Sequence, residues 1–229
     1  MTAMQDIAEC YVSPGALDEQ LEGWMREVRP YQWRPTTPLQ MNGAALLVVD
    51  MTRPFVDDTS RPLCSPNARA ILGRVACLVD RFRSLGRPVI WLIQGHHSVP
   101  TDRGDHLSAW WPIPLIEGTR DVEMAEGLDP RDDKIIMKRR YGGFYQTDLE
   151  CTLRCLKVTQ VVICGVLTHV CPLTTAIEAF MRDLTVYYPA DCLASINRAL
   201  HVSALQSVAG WYGYVVRSQD IVDWMKRKG

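Results

Sequence analysis

The sequence predicts an α/β protein: one doubly wound, mostly parallel six-stranded sheet with helices on both faces. Two observations carry this. Short apolar runs without alternation, such as Leu46-Leu47-Val48-Val49 and Val161-Val162-Ile163, mark strands buried on both sides. Between such runs lie segments whose apolar residues recur at helical spacing, so that strand and helix alternate through the 229 residues. A chain of that length can bury one sizeable core, and no internal repeat or low-complexity tract divides it.

The elements follow in order. Ser13-Pro14 opens an amphipathic helix whose Leu17, Leu21, Trp24 and Val28 form one stripe, to lie on the body or on a neighbouring subunit. A link containing Pro35 and Pro38 leads to the first strand, 44–50, which ends in Asp50. Residues 1–43 are therefore set apart as an arm and linker, and 44–229 as the domain. Ser65-Pro66 caps a long helix with Ile71, Leu72, Val75, Leu78, Val79, Phe82 and Leu85 on its inner face, closed by Gly86. Strand two is 89–93. From 95 to 129 the pattern is irregular, rich in Gly, Pro, His and Trp, as a pocket wall or lid would be. Strand three, 134–137, delivers Lys138, and Thr147 with Glu150 spells a capping box for the following helix. The fourth strand passes through Gly165 into a helix carrying Leu173, Ala176, Ile177, Phe180 and Met181. Pro172 suits the first helical position, which makes Cys171 the expected N-cap, where the positive helix end would lower its thiol pKa. Strands at 184–188 and 212–216 and helices at 197–209 and 218–226 complete the alternation.

A formal charge of -1 with scattered Lys and Arg gives no nucleic-acid footprint, and no segment is apolar for long enough to span a bilayer. The eight cysteines lack paired metal-type spacing and no leader-like segment precedes them, so reduced thiols and a cytoplasmic location are expected. Cys151 and Cys155 share a helix face and read as packing residues.

Asp50, Lys138 and Cys171 each stand at or just beyond the carboxyl end of a predicted strand. A doubly wound sheet gathers such positions along one edge, where ligands bind. An acid, a base and a thiol would then meet there.

These residues carry a resemblance. LLVVD at 46–50, Lys138 with RYGGF at 140–144, and GVLTHVC at 165–171 resemble the three motifs of the isochorismatase-like cysteine hydrolases, over about residues 44–217. The resemblance implies an Asp50-Lys138-Cys171 catalytic triad, a non-proline cis bond at Val166-Leu167, and an oxyanion hole from the N–H groups of Leu167 and Cys171. It further implies hydrolysis of a small amide, ureide or related C–N bond through a thioester, without a cofactor, by a homo-oligomer (dimer or tetramer). The run TTAIEAFMRDLTVYYPADCLAS and His169 resemble true isochorismatases, which have Gly where this chain has Cys171. Vinyl ether hydrolysis without the thiol is therefore an alternative, and a non-catalytic binding subunit of the same fold a second. Nicotinamidases hold a metal with an Asp-x-His pair; Gln94-Gly95-His96 stands here instead, so no metal is expected. Thr52 and Arg53 replace the usual residues after the acid. The expected substrate contacts are Arg53 and Arg140, as readers of a negative or strongly polar group, with Phe55, Trp110, Trp111, Tyr141, Phe144 and His169.

Overall fold

A computed structural model of the chain describes residues 6–99, 101–111 and 113–226. Seven parallel strands form the sheet: β1 (Ala44–Val49), β2 (Val89–Gln94), β3 (Lys134–Lys138), β4 (Gln160–Val166), β5 (Thr185–Pro189), β6 (Leu193–Ala194) and β7 (Tyr214–Val216). Their order is β3-β2-β1-β4-β5-β7, with β6 paired to β4. From β1 the chain winds outward through β2 and β3, then returns to the other side of β1 with β4. The β1/β4 seam is thus the point where strand order reverses, the place where a doubly wound sheet opens a ligand crevice.

β6 exceeds the six strands expected. Its two residues pair with Gly165 and Val166 directly after a 3-10 turn at Ala190–Cys192, too short a stretch to show a period in sequence.

The helices packed around the sheet are α1 (Leu17–Val28), α2 (Arg53–Val56), α3 (Pro66–Ser84), α4 (Gly104–Trp110), α5 (Leu149–Cys155), α6 (Cys171–Phe180), α7 (Arg198–Trp211) and α8 (Ser218–Lys226). α3 begins as its sequence implies, with Ser65 accepting from the Asn67 N–H, and ends at Gly86 with φ 62°. α1 packs on the body of the chain: Trp24 is fully buried between Tyr11 and His201, with ring centroids 5.8 and 4.4 Å away. The helix itself starts at Leu17, later than Ser13-Pro14 suggests.

The capping box at Thr147 does not form. α5 is preceded by Asp148, Thr147 Oγ1 instead donates to the Gly143 carbonyl at 2.6 Å, and Glu150 pairs with Arg182. The hydroxyl is drawn toward the loop that follows β3 and accepts the Leu149 N–H, at 3.3 Å, in place of the Glu150 N–H that a capping box would use.

Gly165 sets how closely β1 and β4 approach. At φ 115° it takes a conformation open mainly to glycine, and an added Cβ would lie 2.0 Å from the Val49 carbonyl oxygen. The two strands that carry Asp50 and lead to Cys171 are in this way held side by side.

Candidate active site

β1 ends at Val49, and Asp50 then turns into the left-handed region at φ 52° while its N–H donates to the Leu92 carbonyl at 2.9 Å. That turn sends a buried carboxylate across the end of β2. Oδ1 accepts the Gln94 N–H at 2.7 Å, and Oδ2 accepts Lys138 Nζ at 2.7 Å. Lys138, the last residue of β3, is wholly buried, a position an ammonium tolerates only with a counter-charge and hydrogen bonds. Its second acceptor is Gln94 Oε1 at 3.3 Å, and Cys171 Sγ lies 4.0 Å from the same oxygen. Three strand ends and one helix start therefore meet around the Gln94 amide.

Burial opposes the charge on Lys138, but the Asp50 carboxylate and Cys171 outweigh it and leave the lysine above its ordinary value. Burial raises the Cys171 thiol strongly; Lys138 pulls the other way and Asp50 adds to the rise. In this arrangement the thiol keeps its proton at neutral pH, contrary to the lowered pKa expected from its sequence position. Desolvation is the stronger influence because the thiol sits at the bottom of a closed floor.

The helix start also differs from expectation. Val170 is the N-cap, and Cys171 is the first residue of α6, with Pro172 after it. The Cys171 N–H thus belongs to the first-turn donors that have no partner inside a helix. Thr175 Oγ1 donates to the Cys171 carbonyl at 2.7 Å and accepts the Gly143 N–H at 3.0 Å, tying α6 to the loop after β3. The Val166-Leu167 peptide bond is cis.

Above this floor opens a cavity of about 500 Å³. Cys171, Leu167 and Gln94 form its base, Phe55, Leu63, Trp110, Trp111, Ile113 and Leu115 much of its wall, and Arg61, Arg103 and His96 its polar part. Of the expected contacts, Phe55, Trp110 and Trp111 line it. Arg53 does not; its side chain lies 3.8 Å from Glu123. Arg140 donates to the Asp102 and Arg139 carbonyls at 2.9 and 2.7 Å. Tyr141 stands behind the wall, its hydroxyl accepting from the Trp111 indole N–H. Phe144 is buried beneath the Arg182 guanidinium, 4.7 Å from its ring centroid. His169 Nδ1 is 2.6 Å from Ser195 Oγ, and burial lowers its pKa.

Sequence reasoning passed over Gln94, Arg61 and Arg103. Gln94 was findable, since it ends β2 as Lys138 ends β3. Arg61 and Arg103 lie in loops, brought to the cavity by pairing that no local pattern announces. Arg61 is fixed by Asp121, and Arg103 donates to the Trp111 carbonyl while its buried Nε has no partner among the described residues.

The histidines do not assemble a metal site. His96 Nε2 faces the Gln94 amide nitrogen at 3.4 Å and its Nδ1 faces Asp102 Oδ1 at 3.4 Å, while His97 is more than half exposed and His106 lies on the surface. Among the described residues no three His, Cys, Asp or Glu side chains converge as metal ligands. The residues present do not fit the ion.

Comparison with known proteins places the fold and this site in context. Residues 44–220 match the family described as Isochorismatase domain. Nicotinamidase 3 of Arabidopsis thaliana is 33% identical over 192 residues, 82% of this chain and 91% of its own. Enterobactin synthase component B of Escherichia coli (strain K12) is 32% identical over 180 residues, 78% of this chain, and the chain spans only 62% of its length. The crystal structure of a cysteine hydrolase from Pseudomonas syringae pv. phaseolicola 1448A superposes with a TM-score of 0.80 at 25% identity, covering 85% of this chain and 98% of that one. The chain is a hydrolase of the isochorismatase family, within the isochorismatase-like cysteine hydrolase superfamily.

Proposed function

We propose that the protein hydrolyses a small amide, ureide or related C–N bond through a thioester on Cys171. One observation carries the reading: the Asp50 carboxylate, already bonded to Lys138, lies beside the Cys171 thiol, which forms part of the floor of an apolar cavity. Because the resting thiol is protonated, a base must act as the substrate arrives. Asp50 takes the Cys171 proton while sulfur adds to the carbonyl carbon, and the N–H groups of Leu167 and Cys171 receive the oxyanion. Each such donor contributes about 3 kcal/mol in other enzymes. Collapse breaks the C–N bond, and Asp50 passes its proton to the departing nitrogen. Water then attacks the thioester, giving one proton to Asp50; sulfur leaves and regains it, releasing the acid. Lys138 remains charged throughout, holding the carboxylate in place.

The substrate carries an acidic group held by Arg103, whose buried Nε has no partner among the described residues. The decisive experiment is a panel of small amides and ureides, scored for ammonia release, with rapid-quench mass spectrometry of the Cys171 peptide. An acyl adduct is expected with the true substrate. Undiminished turnover by Cys171→Ala would sink the reading.

A second reading, vinyl ether hydrolysis in which Asp50 protonates an enol ether without use of the thiol, is favoured by the family's isochorismatase members. Pyruvate release from isochorismate by both wild type and Cys171→Ala would select it.

A further inference from the structure

Gln94 touches both cationic and sulfur groups of the floor, so which end of its amide faces them decides whether the floor is coherent. Lys138 Nζ, a donor only, lies 3.3 Å from the position of Oε1. The amide nitrogen must then face the other way, and 3.4 Å beyond it stands Nε2 of His96, itself buried. A nitrogen that receives an N–H carries no proton, so the neutral ring is protonated at Nδ1. That atom faces Asp102 Oδ1 at 3.4 Å, and neither atom has another partner among the described residues. Asp102 is fixed in turn by the His97 N–H at 3.1 Å and by Arg139 Nε at 2.9 Å. Every donor in this row points one way, from Lys138 outward to Asp102.

We infer that His96 is a positioning residue, which locks the Gln94 amide with its oxygen toward Lys138 and Cys171. The inference rests on the proposed thiol chemistry only for its effect on rate. Protonation at His96 Nε2 would place an N–H against the amide nitrogen. Gln94 would have to turn over, presenting its NH2 to the Lys138 ammonium, donor against donor. The charged groups facing His96 are Asp102, which favours its protonation, and Arg103 and Arg139, which oppose it; burial, the largest influence, lowers its pKa. The floor therefore stays ordered down to a pH below the ordinary histidine range and loses order beneath it.

Two measurements decide this. The first needs no substrate: 15N-1H correlation of the wild-type imidazole should report the Nδ1–H tautomer for His96 at neutral pH, and an Nε2–H tautomer would overturn the inference. The second is kinetic. His96→Leu, which has no acceptor, should lower kcat at least tenfold with KM changed less than threefold. His96→Gln, whose side-chain oxygen can accept from Gln94, should recover most of that loss and move the acid limb of the pH profile to lower pH. An unchanged kcat in His96→Leu, or an acid limb of His96→Gln coincident with that of wild type, would overturn it, and if His96→Leu does not fold the His96→Gln profile and the tautomer decide. Full activity of Cys171→Ala would remove the proposed chemistry while leaving the tautomer result to judge His96.

Discussion

The floor and the wall of the cavity are built by different means. The floor and the groups directly beneath it stand at the ends of adjacent parallel strands, so Asp50, Gln94 and Lys138 inherit their positions from sheet register: Val49 lies beside Leu92, and Gln94 beside Lys138. The wall comes from 95–125 and the 53–63 loop, joined by isolated bridges at Thr52–Met124 and His96–Ile116 and by side-chain pairs such as Arg61–Asp121. A register is shared by every residue of two strands, whereas a bridge depends on one or two. The proposed chemistry therefore sits on the part least able to drift, and the proposed substrate selection on the part that can be rebuilt by few substitutions.

The largest expected effect lies in the floor. Cys171→Ala should lose all but a trace of turnover, a loss of ~10⁴-fold or more where a nucleophile is removed, with a melting temperature close to wild type because one small buried residue replaces another. Turnover assays beside thermal denaturation check both halves.

Next comes the seam that supports the floor. Gly165→Ala places a Cβ against the Val49 carbonyl at a positive φ, and should cost roughly 2–4 kcal/mol in urea unfolding, from overpacking together with backbone strain. Lys138→Ala strands the buried Asp50 carboxylate, and should destabilise by about 3–5 kcal/mol, the scale for breaking a buried ion pair. If either were tolerated, the floor would be no more rigid than the wall.

Substitution in the wall should change selection rather than chemistry. Arg103→Ala should weaken a carboxylate-bearing substrate by about 1.5–3 kcal/mol in kcat/KM and an uncharged analogue much less, measured on a matched acid and amide pair. Equal losses would mean that Arg103 does not read charge. The same comparison for Arg53→Ala, paired with Glu123 away from the cavity, should show little difference.

The mildest test is the pH dependence of Cys171 alkylation by iodoacetamide. With its pKa raised by burial, the thiol is mostly protonated at pH 7, so it should react more slowly than a free thiol there and accelerate as pH rises past 9. Lys138→Ala removes the cation that favours the thiolate and should slow it further. Rapid alkylation at pH 7 would instead restore the helix-end activation that the sequence suggests.

Much of the floor could be read in the chain because strand burial is a local signal. An apolar run without polar alternation marks a strand, central in β1 and at the margin of the sheet in β3, and a charge ending such a run stands where the carboxyl ends gather. Asp50, Lys138 and Cys171 were legible on that ground, and Gln94 could have been. What only the tertiary structure decided is where the balance of forces falls at each group. Cys171 heads a helix, as its neighbour Pro172 implies, yet its thiol is pushed up because burial outweighs the helix end and Lys138. Arg53 follows Asp50 by three positions and Arg140 follows Lys138 by two, but both are drawn away, one toward Glu123 and the other to backbone carbonyls. Arg61 and Arg103 reach the cavity from more distant parts of the chain. Desolvation and partner choice depend on what surrounds a group in three dimensions, and separation along the chain sets neither.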